Sequence, residues 1–280
     1  MKIHHLNCGS LCPMCARLVN GRGGWFERGL LVCHCLLIET DTGLILVDTG
    51  FGIRDIENPK SFPRLFRLSA NPVFDRSETA IEKVRQLGYA PQDVRHICLT
   101  HLDLDHAGGI TDFPQAKIHV HRRELGGVDQ ARHQWRYMRR HWNAQTQWVL
   151  HDTQGDTWNG LESVRLLDPS EPDVLLIPLF GHTEGHCGIA VRDGDGWLLH
   201  AGDAFFHHRQ LRADHPQAPL GLHLFQRNAD ENTQVRKANQ EHVRRLANDP
   251  AAKVRVINSH DPYFLEAAQA DARIAHTIDD

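Results

Sequence analysis

The chain is built around strand-length apolar runs that stop on a turn or on a cluster of histidine and aspartate. "LLVCHCLLIE" and "GLILVDTG" are joined by the turn signal "TDTG", so residues 30 to 50 read as a hairpin of mostly buried strands. "CGIAVRDGDGWLLHAGD" repeats this plan around "DGDG", which suggests two halves of related construction. Further strands are expected at "VRHICLTH", "AKIHVH", "DVLLIPLFGHT" and "KVRVINSH". Helices are expected at "SETAIEKVRQLG", opened by Ser with Glu nearby and closed by Gly, and at "NTQVRKANQEHVRRLAND". Buried strands alternating with helices predict an α/β or α+β sandwich, two β-sheets covered by helices, rather than an all-helical or all-β fold. No low-complexity linker divides the 280 residues, which read as a single domain, 1–280.

Residues 122 to about 165 depart from this rhythm. In "ARHQWRYMRRHW", Trp135, Met138 and Trp142 recur at i, i+3 and i+7, the spacing of one helix face, with Arg132, Arg136, Arg139 and Arg140 mostly elsewhere. Such an insert suits a lid or substrate wall, or an apolar stripe packed on the body or on a second copy in a homodimer.

A net charge of −4 gives no electrostatic ground for nucleic acid or an anionic membrane as partner, so a small-molecule substrate is expected. The first residues lack the pattern of a secretory signal, and no run reaches the roughly 20 apolar residues that span a bilayer. Seven cysteines, an odd number, do not suggest a disulfide framework, and the expected location is cytoplasmic. Cys8, Cys12 and Cys15 have a spacing that thiolate ligands can use, but no fourth ligand is evident nearby, and they read as small buried thiols.

The chemistry is concentrated where apolar runs end. His101, Asp103, Asp105 and His106 follow "VRHICL", His182 follows "VLLIPLF", Asp203 follows "GWLLHA", and His260 follows "KVRVIN". Imidazole is the usual neutral ligand of zinc, and a carboxylate can bridge two cations while offsetting their charge. Two metals roughly 3.5–4 Å apart would share a water, lower its pKa and polarise a substrate carbonyl. The small residues after His106 allow a tight turn into a helix.

"THLDLDHAGG", the "GHTEGH" from Gly181, "AGD" ending at Asp203, "SH" ending at His260 and the early "VDTG" together resemble the metallo-β-lactamase superfamily, over nearly the whole chain and in the correct order. Within it, the "LNCG" stretch, the length and the long segment after the first ligand motif are most similar to the N-acyl-homoserine lactonase group. The resemblance implies an αβ/βα sandwich with a dinuclear site at one edge between the sheets. It implies that His101 and His182 hold one metal, that His106 and His260 with Asp105 hold the other, that Asp203 bridges them, and that Asp48 supports a ligand from behind. Two divalent ions, zinc first, are the implied cofactors.

Two departures qualify these implications. Asp103 stands at the second His position of the usual His-x-His-x-Asp-His motif, and an anionic ligand there moves the site toward iron or manganese. Phe206 stands where lactonases of the group are expected to carry a Tyr that assists the substrate carbonyl or leaving oxygen. The expected function is a metal-dependent hydrolase opening a lactone or related ester by metal-bound hydroxide attack. Asp105 would move a proton as the ring opens, and Phe206, Trp135 and Trp142 would line the substrate pocket. The alternatives are a glyoxalase-II-like thioesterase and, in another class, an iron-dependent oxidoreductase suggested by Asp103.

Overall fold

A computed structural model describes residues 1–168 and 173–279. Seven strands form the first sheet, in the spatial order Pro72–Val73, Lys2–Leu11, Leu31–Thr40, Gly43–Val47, Val94–Cys98, Lys117–His121 and Gln147–His151. Pairing is antiparallel as far as Gly43–Val47 and parallel beyond it. The second sheet runs Val164–Arg165, Val174–Pro178, Cys187–Asp193, Gly196–His200 and Val254–Ile257, with only the last pair parallel. Both expected hairpins are present: Leu36 pairs with Val47 in one and Ile189 with His200 in the other.

Alternation along each strand builds the layers. Leu36, Ile38, Ile45, Val47 and Cys98 face Val174, Leu176, Ile189, Val191 and Ile257 in the core between the sheets. Leu37, Leu44, Leu46 and Ile97 point the other way and pack on Ala80, Ile81 and Val84 of the helix Ala80–Gln86. On the far side of the second sheet, Ile177, Ala190 and Leu199 meet Val243 and Leu246 of the helix Thr233–Ala247. With both faces covered, both alternate sets must be apolar, so the strands read as continuous apolar runs rather than as a period of two. Asn232 caps the second helix, its side-chain oxygen accepting from the backbone N–H of Gln234 and Val235. Among the described residues no helix is long and apolar enough to cross a membrane.

The insert corrects one expectation. Residues 131–142 do not form a helix but two 3-10 turns, Gln134–Arg136 and Arg139–His141. Their basic residues reach in different directions: Arg136 to Asp103, Arg139 to Asp129, and Arg140 with His141 to Asp55. These tertiary pairs override the local apolar spacing. The insert also supplies the edge strand of the first sheet, since Gln147–His151 pairs in parallel with Lys117–His121. The small residues after His106 lead into a single 3-10 turn, Ile110–Asp112, rather than a longer helix. Cys8 is buried in the first strand, and Cys12 and Cys15 are partly buried in the segment after it.

The loop after Gly43–Val47 is wedged between that first strand and the His106 segment. Thr49 donates from its backbone N–H to the His106 carbonyl at 2.8 Å, and Phe51 donates to the Cys8 carbonyl at 3.0 Å. Gly50, at φ 60°, turns the chain between them, and a Cβ there would lie 2.0 Å from the Cys8 carbonyl oxygen. Gly50→Ala therefore meets both a left-handed backbone and a backbone clash. It should cost about 2–4 kcal/mol of stability, measurable as a lower urea midpoint with an unchanged slope; an unchanged midpoint would show that the close approach is not required.

Candidate metal centre

Each ligand-type residue is delivered by the carboxyl end of a strand. His101, Asp103, Asp105 and His106 follow Val94–Cys98, His182 follows Val174–Pro178, Asp203 follows Gly196–His200, and His260 follows Val254–Ile257. Two groups result, with ligand atoms inside each lying within 4.8 Å of one another: His101, His182 and Asp203, and beside them Asp105, His106 and His260. Asp203 reaches both, its Oδ2 lying 3.4 Å from His182 Nε2 and 3.2 Å from His260 Nε2, its Oδ1 3.5 Å from His106 Nε2.

Two of the rings, His106 and His260, are aimed by bonds at their far nitrogens. Asp48, buried at the end of its strand with φ 55°, accepts from the Thr100 N–H and hydroxyl at 2.8 Å and from His106 Nδ1 at 2.9 Å. His260 Nδ1 donates to the Val32 carbonyl at 2.8 Å, reaching from the second sheet to the first. Both acceptors lack protons to give, so in the neutral rings each Nδ1 carries the hydrogen and each Nε2 presents a lone pair to a cation, whether proton or metal. Those two Nε2 atoms face each other at 3.3 Å. His101 Nε2 and Asp203 Oδ1 are buried without a hydrogen-bond partner. Lone pairs directed at one another and orphaned acceptors form a costly arrangement that a cation resolves, so the residues present fit metal ions.

The electrostatics agree. Burial opposes a positive charge on His106, but the carboxylates of Asp203 and Asp48 outweigh it and hold its pKa well above the ordinary value. Burial also opposes ionisation of Asp203, yet the neighbouring His260 and His106 hold its carboxyl well below the usual range. His101 is pushed down to about 4, chiefly by burial and then by the charge of His106, which leaves a neutral imidazole. The cluster favours positive charge at its centre and keeps His101 ready to ligate.

Asp103 enters the first group, with Oδ2 3.4 Å from His101 Nε2 and 3.2 Å from His182 Nε2. It is also held by Arg136, which the sequence places off the apolar stripe of the insert. Arg136 is 3% exposed and forms a two-pronged pair with Asp103, Nε to Oδ1 at 2.5 Å and Nη2 to Oδ2 at 2.6 Å. Burial works against ionisation of Asp103, and the guanidinium beside it reverses that, holding the carboxyl well below the usual range. The pair as a whole is neutral, like the imidazole it stands in for. The negative charge of Asp103 is thereby offset within the protein.

Glu124 was also missed, because nothing in its local sequence distinguishes it from a surface helix residue. It is buried and accepts from Leu102 N–H at 2.9 Å, Thr183 hydroxyl at 2.6 Å and Gly185 N–H at 3.0 Å, tying the His101 segment to the His182 segment. His186 supports Asp203 from behind, donating from Nδ1 to the Leu179 carbonyl and accepting the Asp203 N–H at Nε2, each at 2.9 Å. Phe206 stacks on His260, centroids 5.3 Å apart, and meets His182 edge-on at 5.9 Å. Trp135, about half exposed, lies on Phe66, whereas Trp142 packs against Trp148 on the first sheet. His207, His208 and Asp261 form a third group, but His207 Nδ1 accepts the Arg209 N–H and Asp261 Oδ2 already accepts from His208, so these residues close the turn after Phe206.

Known proteins share this plan. The family model for the metallo-beta-lactamase superfamily matches residues 28–260. Relatives from Mycobacterium tuberculosis and Mycobacterium bovis, each described as a probable metallo-hydrolase, are 39% identical over 275 residues, 97% of this chain and 84% of their own length. An N-acyl homoserine lactonase from a Bacillus species is 28% identical over 192 residues, 68% of this chain and 70% of its own. The solved structure of an N-acyl homoserine lactone hydrolase, with N-hexanoyl-L-homoserine bound at its catalytic metal centre, aligns at a TM-score of 0.71 and 20% identity over 95% of both chains, which shows a common fold. With this architecture and this coverage, the chain belongs to the metallo-beta-lactamase superfamily, as a metal-dependent hydrolase.

Proposed function

We propose that the protein hydrolyses a lactone or related ester at a two-metal centre. The observation that carries the centre is the pair of Nε2 lone pairs of His106 and His260, fixed toward each other at 3.3 Å by bonds at the opposite nitrogens. His101, His182 and Asp103 would hold one ion, Asp105, His106 and His260 the other, and Asp203 would serve both. When bound, metal ions in such a set lower the pKa of water and polarise a carbonyl. Zinc suits the histidine-rich donors, and the Asp103–Arg136 pair brings no net charge to alter that preference.

The protein's own groups supply orientation, exclusion of water and proton transfer. Asp105, with Oδ2 3.7 Å from His260 Nε2, would pass a proton to the leaving alkoxide as a ring opens. The Phe206 ring covers His260 and keeps water from that side. An apolar cluster runs from Phe206 through Leu104, Leu222 and Phe62 to Phe66 and Met138, with half-exposed Trp135 on Phe66 and Phe225 on Phe206. Most of this cluster is buried core, but its half-exposed edge at Trp135 and Phe225 suits an acyl chain better than a charged substrate, which favours an acylated lactone. Relatives described as N-acyl homoserine lactonases support the same class.

Phe206 has no hydroxyl to donate, the one observation that favours a thioester instead, whose better leaving group needs less help. Rates on lactone and thioester panels separate the two readings, and lactone opening is expected to dominate. Phe206→Tyr should then raise the lactone rate about tenfold or more by adding an oxyanion donor. Thioester cleavage without lactone opening would overturn the substrate class.

Asp48 aims His106 without approaching the substrate. Asp48→Asn should weaken metal binding about 10–100-fold, measured by competition with a chelator, while circular dichroism stays unchanged. Metal affinity equal to the parent's would rule out this orienting role.

A further inference from the structure

Arg136 does more than pair with Asp103. Its Nη1 donates to the Ala229 carbonyl at 2.7 Å and toward the His182 carbonyl at 3.3 Å. Its Nη2 has a second contact, 2.7 Å from His182 Nε2. With the two bonds to Asp103, all five N–H groups of the guanidinium have acceptors, and the side chain is buried. This is a built position, not a surface side chain that has folded inward.

The contact with His182 has a consequence for metal binding. A guanidinium can only donate, so His182 Nε2 meets Nη2 with its lone pair, and an imidazole nitrogen has one lone pair in the ring plane. A metal at the ligation distance of about 2.0–2.1 Å needs the same lone pair. One or the other can occupy it. On the opposite side of Asp203 the situation differs: His106 Nε2 and His260 Nε2 have carboxylates of Asp203 and Asp105 and each other as polar neighbours, with no arginine or lysine bonded to them among the described residues.

We propose that Arg136 is an internal competitor for the metal position made by His101, His182 and Asp203, so that the centre fills in order, tightly at Asp105, His106 and His260 and weakly at the position that Arg136 contests. This rests on the reading of the cluster as a metal centre. An ion entering the contested position displaces Nη2 from His182, and the guanidinium keeps its bonds to Asp103 and the Ala229 carbonyl. The insert, through Arg136, thereby sets the metal occupancy of a site to which it contributes no ligand.

Cobalt(II) titration of the chelator-stripped full-length chain, followed by equilibrium dialysis and by the spin coupling of the bound ions, tests this without any substrate. Two steps are expected, the second weaker by about tenfold or more, with coupling appearing only in the second. His260→Ala should remove the tight step and His182→Ala the weak one. Arg136→Gln should bring the two affinities together. That variant leaves a buried carboxylate unpaired and could unfold, so Asp103→His combined with Arg136→Gln provides a neutral version, which should also close the gap. Two equal steps in the parent, or a gap unchanged in both Arg136 variants, would overturn the competition and leave the metal centre standing. A parent chain that takes up no cobalt on titration would overturn both.

Discussion

The structure depends on a repulsion built into its own centre. His106 and His260 come from different sheets, and each has its far nitrogen fixed by an acceptor that leaves no choice of tautomer. In the neutral rings their near nitrogens are thereby facing lone pairs, with the carboxylate of Asp203 beside them. In a buried setting such groups are costly unless a cation lies between them. The groups behind that point are held in place: Asp48 by Thr100 and His106, His186 by Leu179 and Asp203, Glu124 by Leu102, Thr183 and Gly185.

The same point joins the two sheets. The Val32 N–H donates to the His260 carbonyl, His34 N–H donates to the Ser259 carbonyl, and Cys187 N–H donates to the Thr100 carbonyl. His200 Nε2 bonds the His34 carbonyl at 2.6 Å. Ligand loops and inter-sheet contacts are therefore the same segments of chain. Packing of the apolar faces brings the strand ends together, and those ends carry the donors. Occupation of the centre by metal should then stabilise the whole sandwich, since binding to the folded state alone adds its free energy to folding.

Much of this was legible in the sequence, for a physical reason. Each ligand-type residue directly follows a buried strand, so a polar cluster interrupts an apolar run and stands out. The hairpin turns and the helix from Thr233 are local signals and read equally well. What escaped was non-local. Arg136 sits in a stretch whose apolar spacing suggested a helix, and its partner, Asp103, is 33 residues away. Asp103 itself carried the hint, since a carboxylate in place of a neutral ligand, deep in a cluster of carboxylates, calls for a counter-charge. Glu124 offered no comparable hint, because its three partners come from loops that only the folded chain brings together.

The central claim is that metal ions resolve the buried repulsion at His106 and His260. Thermal unfolding of the full-length chain, with metal content measured on the same sample before and after exhaustive chelation, tests it most directly. The account predicts bound metal in the untreated chain, a lower Tm after its removal, and recovery when metal is restored. A chain that carries no metal as purified, takes up none when it is supplied, and melts at the same temperature with and without chelator would contradict it.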